Sequence, residues 1–312
     1  MNQLGTEPEY MRLLPASALR NIARFDLLAR HAKEGFVVGK HKSPYKGFSA
    51  EFAEHRQYVA GDDTRHLDWR VMGRTDRYFI KQYEDETNLR TTILLDASGS
   101  MDYSGSKAVE VDGERLSKFE YSRRLAAVLT YLMVNQQDAV GLVTFDSRVQ
   151  RYIPARARAS HLRHILEELH QTRPGNESEL APVFHGIADR IRRRGLVVII
   201  SDLFDDAQSI IKALNHFCYR KHEVIVMHVM AEEELTFPFE RWMAFRDLEM
   251  DDRRLQVDTG TIRSDYLERV QEFLRDILMA CGRMKIDYVP FCTRESYDTV
   301  LANYLTQRYR HG

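Results

Sequence analysis

The residues best suited to chemistry in this chain lie in the segment 96–100, Asp-Ala-Ser-Gly-Ser. Asp96, Ser98 and Ser100 offer a carboxylate and two hydroxyls, the oxygen ligands that hard cations such as Mg²⁺ prefer. A second carboxylate, Asp202, follows the most apolar run of the sequence, residues 196–200. Serine and aspartate after a strand also commonly cap helices. The metal hypothesis therefore depends on a fold that brings Asp202 beside Asp96.

The pattern from about Thr91 onward predicts such a fold. Short apolar runs alternate with amphipathic ones, as in a doubly wound α/β domain whose mainly parallel sheet carries helices on both faces. Ligands of such sheets bind beyond the carboxyl ends of the strands, so Asp96 and Asp202 are expected to face one crevice. Strands are predicted at 91–95, 139–145, 149–153 (an edge strand), 196–200, 224–229 and 286–292, with an inserted hairpin within 245–257.

The first part of the chain follows a different pattern. A short helix is predicted near 17–32, and strand-like pieces are predicted around 48–58 and 78–83. We therefore predict an N-terminal extension over residues 1–88 and an α/β domain over residues 89–312. A charged and aromatic cluster at 62–69 is interpreted chiefly as a structural ion-pair network, with a functional surface as the alternative.

Composition excludes several classes of function. Of the 312 residues, 45 are Lys or Arg and 46 are Asp or Glu, which gives a net charge of -1. This balance provides no overall field for binding nucleic acid or an anionic membrane. No segment approaches the roughly 18 apolar residues of a membrane span, and the N-terminus lacks the apolar run of a signal peptide. We expect a cytoplasmic protein without membrane insertion.

Two sets of motifs resemble known families. Residues 94–101 (LLDASGSM) resemble the metal-ion-dependent adhesion site (MIDAS) of von Willebrand factor A domains. Residues 47–56 (GFSAEFAEHR), 61–70 (GDDTRHLDWR) and 81–84 (KQYE) resemble the hallmark of the bacterial DUF58 family. Together these resemblances cover nearly the whole chain. They imply a von Willebrand factor A-like fold with a smaller N-terminal extension.

The resemblance also implies a set of metal ligands. Asp96, Ser98 and Ser100 would form the first metal loop, and Asp202 would supply the last carboxylate. The family's intermediate ligand is a threonine, and the matching stretch 177–180 (ESEL) places Ser178 at that position. Ser178 also fits the N-cap of the helix that follows, and both interpretations stay open.

The function implied is a non-enzymatic, divalent-metal-dependent protein-interaction module. The cation would be Mg²⁺, or else Mn²⁺ or Ca²⁺, and an open coordination position would accept a carboxylate from a partner protein. Proteins of this family are commonly encoded beside MoxR-type AAA+ ATPases, which implies such an ATPase as partner in assembling or activating other proteins. The sequence itself assigns no partner-binding residues.

Other functions fit the motifs less well. A phosphoaspartyl enzyme would use Asp96 as its nucleophile, but the second acid expected two residues on is replaced by Ser98. A serine hydrolase would need Gly-x-Ser-x-Gly around Ser98, and neither glycine is present. His161 and His164 have helical spacing for zinc but lack a third ligand in register. A further alternative is a scaffold whose metal site has lapsed.

Overall fold

The computed structural model describes residues 8–20, 50–58, 67–75, 77–85, 89–111, 113–175, 179–240, 242–246 and 254–311. The chain divides into two compact units: Val38–Asn88, and a larger unit that joins Met1–Val37 to Leu89–Gly312. Residues 8–20 thus belong with the larger unit, whereas the prediction assigned them to the extension. The reason is apolar burial, since Leu13, Leu14 and Ala18 lie in the core of that unit.

The start of the larger unit is helical. A 3-10 helix spans Glu9–Leu13, and residues 16–20 form helical turns. This agrees with the beginning of the helix predicted near 17–32. The rest of that helix lies outside the described residues.

The smaller unit contains an antiparallel pair of strands, β1 (Ala50–Gln57) and β2 (Phe79–Asp85), with helix α1 (Trp69–Thr75) between them in sequence. Both predicted strand-like pieces are confirmed. Asp68 caps α1, because its Oδ1 accepts hydrogen bonds from the backbone N–H groups of Arg70 (2.9 Å) and Val71 (3.3 Å). The remainder of the charged cluster, residues 62–66, lies outside the described residues.

The larger unit is built on a six-stranded sheet of order β12-β9-β8-β3-β6-β7. Neighbouring strands are parallel except for β7, which pairs antiparallel with β6 at the edge, as predicted. Two short antiparallel hairpins, β4-β5 and β10-β11, lie outside this sheet, and the second confirms the predicted insertion. The strands are β3 (Arg90–Asp96), β4 (Glu110–Val111), β5 (Glu114–Arg115), β6 (Ala139–Phe145), β7 (Val149–Arg156), β8 (Leu196–Ser201), β9 (Glu223–Met230), β10 (Trp242–Arg246), β11 (Arg254–Asp258) and β12 (Asp287–Cys292).

Helices cover both faces of this sheet. Adjacent residues Leu94 and Leu95 of β3 are fully buried in two different cores, because successive side chains of a strand point to opposite faces. The doubly wound fold class is therefore confirmed. The helices are α2 (Lys118–Asn135), α3 (Ala159–Gln171), α4 (Leu180–Arg190), α5 (Ala207–Tyr219), α6 (Glu232–Thr236), α7 (Thr259–Met284) and α8 (Tyr297–His311). Among the described residues, we find no helix with the length and apolar character needed to span a membrane.

Candidate metal site at the carboxyl ends of the central strands

The two central strands bring the predicted ligands together. Strands β3 and β8 are paired so that Leu95 lies opposite Ile200, which places the residues that follow them at one edge of the sheet. The Ser201 hydroxyl donates to Oδ2 of Asp96 at 2.5 Å, and the Ser98 backbone N–H donates to Oδ1 at 2.9 Å. The Asp96 side chain is thereby fixed and fully buried.

The serine hydroxyls lie beside this carboxylate. Ser98 precedes a 3-10 helix, Gly99–Asp102, and its Oγ lies 3.1 Å from Oγ of Ser100. The Ser100 hydroxyl also lies close enough to the Asp202 carboxylate to help lower its pKa. Four of the five predicted ligands, Asp96, Ser98, Ser100 and Asp202, therefore converge. Ser178 lies outside the described residues.

A lysine that sequence reasoning missed completes this cluster. Lys118, the first residue of α2, donates from Nζ to Oδ2 of Asp202 at 2.7 Å and to Oε1 of Glu234 at 2.6 Å. Its side chain is almost completely buried. A lysine in the first helical turn opposes the helix dipole, which was the available signal that Lys118 serves an acidic site.

The pKa values of Asp96 and Asp202 are shifted in opposite directions. Burial, and then the neighbouring Asp202 carboxylate, raise the pKa of Asp96 to about 7. Burial alone would also raise the pKa of Asp202, but the Lys118 ammonium overcomes it and holds that pKa below its usual value. Two adjacent buried carboxylates cannot both ionise cheaply unless a cation compensates them. An oxygen-binding divalent ion beside Asp96, Ser98 and Ser100 fits this donor set, and Lys118 is paired with one oxygen of Asp202.

His228 supports the backbone of the site. Its Nε2 lies 2.8 Å from the Asp202 carbonyl oxygen, and its Nδ1 lies 2.7 Å from the Tyr288 hydroxyl. Because a carbonyl can only accept, we assign the proton to Nε2, and Nδ1 accepts from Tyr288. Burial lowers the pKa of His228 to about 4, so the ring is neutral at physiological pH. Sequence reasoning did not single out His228, because no local pattern distinguishes it from the other residues of β9.

The segment of residues 172–179, which contains Ser178 and is called here the third loop of the site, begins beside the loop that follows β3. The Gly175 N–H donates to the Ala97 carbonyl at 2.8 Å. A Cβ on Gly175 would lie 3.2 Å from Oδ2 of Asp146, a buried residue directly after β6. Oδ2 of Asp146 also accepts a hydrogen bond from Gln150 at 2.7 Å. Sequence reasoning did not single out Asp146.

Helix α4, which follows the third loop, is anchored to the loop after β8. The Leu180 N–H donates to Oδ2 of Asp205 at 2.9 Å. An aspartate distant in sequence therefore satisfies part of the helix start, for which Ser178 was one candidate cap.

His161 and His164, the pair considered for zinc, lie on helix α3. His161 is buried, and its Nε2 lies 2.9 Å from the Val140 carbonyl oxygen. The rings of His161 and His164 are 6.2 Å apart. In the described part of the chain, no group of three or more His, Cys, Asp or Glu side chains is placed to hold a metal.

Fold and site together define a doubly wound α/β protein with a hydroxyl and carboxylate cluster at the carboxyl ends of β3 and β8. Residues 54–273 match the family described as "Protein of unknown function DUF58". The chain belongs to the DUF58 family, which confirms the resemblance carried by its motifs. An uncharacterized protein of Mycobacterium tuberculosis is 26% identical over 274 residues, which cover 86% of this chain and 82% of the relative.

The chain also shows partial similarity to solved structures. BatB from Bacteroides thetaiotaomicron is 15% identical with a TM-score of 0.46, and the match covers 71% of this chain and 99% of that one. The VWA domain of SpRpn10 is 12% identical with a TM-score of 0.41, covering 68% of this chain and 94% of that one.

Proposed function

We propose that this protein is a divalent-metal-dependent protein-interaction module. The observation that carries the proposal is the convergence of Asp96, Ser98, Ser100 and Asp202 at one end of two adjacent central strands. These residues, with Ser178 from the third loop, would hold Mg²⁺, or Mn²⁺ or Ca²⁺. Because serine ligands are neutral, the ion would keep positive charge and accept a carboxylate from a partner.

The surroundings of Asp202 suit contact with a protein. Phe204 follows two residues later, and its side chain is 68% exposed. Its backbone N–H donates to Oδ1 of Asp202 at 3.2 Å, which holds the main chain of Phe204 close to the acidic ligand. Exposed aromatic side chains are enriched among residues that anchor protein interfaces. A partner carboxylate with an apolar neighbour would match this arrangement.

The partner we propose is an AAA+ ATPase of the MoxR type, and the process is assembly or activation of other proteins. This part of the proposal rests on the family resemblance. The deep burial of Asp96 favours binding over phosphoaspartyl chemistry. A nucleophile must reach its substrate, whereas both oxygens of Asp96 accept hydrogen bonds within the protein.

A second candidate is a scaffold whose metal site has lapsed. The observation that favours it is the Lys118 ammonium, which already neutralises Asp202. Calorimetric titration of the purified protein with Mg²⁺ and with Mn²⁺ separates the two candidates. A saturable heat supports the metal-dependent module, and its absence supports the scaffold.

The proposed function is tested by capture of a purified MoxR-type ATPase on the immobilised protein, with Mg²⁺ or with EDTA. We expect capture with Mg²⁺ and its loss in EDTA or in Asp96→Ala. Asp138→Asn is the matched control, because Asp138 is also a buried acid but lies before β6, at the opposite end of the strands. Capture that survives both EDTA and Asp96→Ala, in a variant with wild-type circular dichroism, refutes the proposal.

A further inference from the structure

The buried Lys118 has an unusual position for a lysine. It is 1% exposed, although lysines are rarely buried completely unless they are paired. It also begins helix α2, where the helix dipole disfavours a positive charge. The partners of its ammonium must therefore compensate both costs.

Those partners are a predicted metal ligand on one side and an independent carboxylate on the other. Nζ lies 2.7 Å from Oδ2 of Asp202 and 2.6 Å from Oε1 of Glu234. Glu234 is itself fixed, because its Oε2 accepts from the Ala231 N–H at 2.7 Å and its carbonyl accepts from the Tyr266 hydroxyl at 3.1 Å. Glu234 therefore remains as a partner for Lys118 if Asp202 is withdrawn.

Formal charges leave room for one more cation. Asp96, Asp202 and Glu234 together carry three negative charges when ionised, and Lys118 supplies one positive charge. The balance of two negative charges matches a single divalent ion. That ion and the ammonium would both be drawn to Oδ2 of Asp202, and two cations at contact distance repel each other strongly in a buried site.

We infer that Lys118 is a built-in competitor for the metal, which binds by displacing the ammonium from Asp202 and leaves it paired with Glu234 alone. This inference rests on the proposed function and adds how its metal affinity is set. Lys118 neutralises Asp202 while no metal is bound, and it lowers the affinity of the loaded site. Glu234 keeps the displaced ammonium paired within the protein.

The test is calorimetric titration of Mg²⁺ and Mn²⁺ into the full-length wild type and Lys118→Gln. We expect Lys118→Gln to bind either ion about tenfold more tightly or better, because a like charge has been removed. Lys107→Gln is the matched control, since Lys107 is an exposed lysine that pairs with Glu232 at 2.8 Å. Its affinity should change less than about twofold, as expected for a screened surface charge.

A second variant keeps the test informative if Lys118→Gln alone does not fold. Lys118→Gln with Glu234→Gln removes the positive charge together with its alternative partner, and it is also expected to bind the ions more tightly than wild type. The rise in Tm on adding Mg²⁺ gives an independent readout, which should be larger in both variants than in wild type.

The outcomes separate this inference from the proposed function. Equal or weaker metal binding by the folded variants overturns the competitor role, even if partner capture still requires Mg²⁺. Absence of binding by every variant overturns it as well and favours the scaffold. Tighter binding by the variants supports the inference, even if partner capture proves independent of metal and the proposed function fails.

Discussion

Buried carboxyl groups lie at both ends of the central strands, in different surroundings. At the amino end, Oδ1 of Asp138 accepts from the Leu89 N–H at 3.0 Å and so joins the start of β6 to that of β3. At the carboxyl end, Asp96 lies among Ser98, Ser201 and a second acid. Burial raises the pKa of both groups, to about 6 for Asp138 and, with the added repulsion of Asp202, to about 7 for Asp96. The isolated Asp138 links two backbone segments, whereas Asp96 belongs to a cluster of acids and hydroxyls for which we propose a cation.

The largest expected effect is a loss of stability caused by backbone crowding, which differs between the amino and the carboxyl ends of the strands. A Cβ on Gly195, before β8, would lie 2.1 Å from the Arg90 carbonyl oxygen, so the backbone of β3 or β8 would have to move. We expect Gly195→Ala to lower the free energy of unfolding by about 3 kcal/mol. A Cβ on Gly175, at the carboxyl end, would have the Asp146 side chain at 3.2 Å as its nearest neighbour among the described residues. The cost of Gly175→Ala should stay below about 1 kcal/mol, and equal losses in urea denaturation would contradict the comparison.

The next largest expected effect is on the pH dependence of folding stability. The folded pKa values of Asp96 and Asp138 lie above the value of 3.8 that applies without burial. The unfolded chain therefore loses these protons first. The stability from each group is fully present below pH 3.8 and is lost as pH rises through about 6 for Asp138 and about 7 for Asp96.

Asparagine substitutions remove this dependence. At pH 8 in EDTA, we expect Asp96→Asn to raise the free energy of unfolding by about 2 kcal/mol and Asp138→Asn by about 1 kcal/mol. Urea denaturation between pH 5 and pH 8 measures both. Lower stability of either variant at pH 8 would show that the carboxylate is better compensated than its burial implies. Loss of partner capture should accompany the gain only in Asp96→Asn.

The smallest expected effect tests whether the position of helix α2, rather than the charge of Lys118, sets the metal affinity. Ser117 caps α2, because its Oγ accepts from the Glu120 N–H at 3.2 Å. We expect Ser117→Ala to cost about 1 kcal/mol of stability, measured by urea denaturation. Its Mg²⁺ affinity should remain close to that of wild type. A change as large as that of Lys118→Gln would mean that the position of the helix, rather than the lysine charge, sets the affinity.

Much of the fold was predictable because its signals are local. The apolar runs 91–95 and 196–200 form β3 and β8, and the polar stretch around Tyr152 forms the antiparallel edge strand. The inserted hairpin was predicted from two short alternating runs and is confirmed at β10 and β11. Strand periodicity depends on neighbouring residues, so the sequence alone reveals it.

The sequence by itself determined the fold class, the family and the expectation that Asp96 and Asp202 would meet, because parallel strands present their carboxyl ends at one edge of the sheet. Only the tertiary structure placed Lys118 on Asp202, 84 residues away, and on Glu234, 116 residues away. It alone placed residues 8–20 in the core of the larger unit. The partners of a buried charge are chosen by where distant elements converge, and no local pattern records that choice.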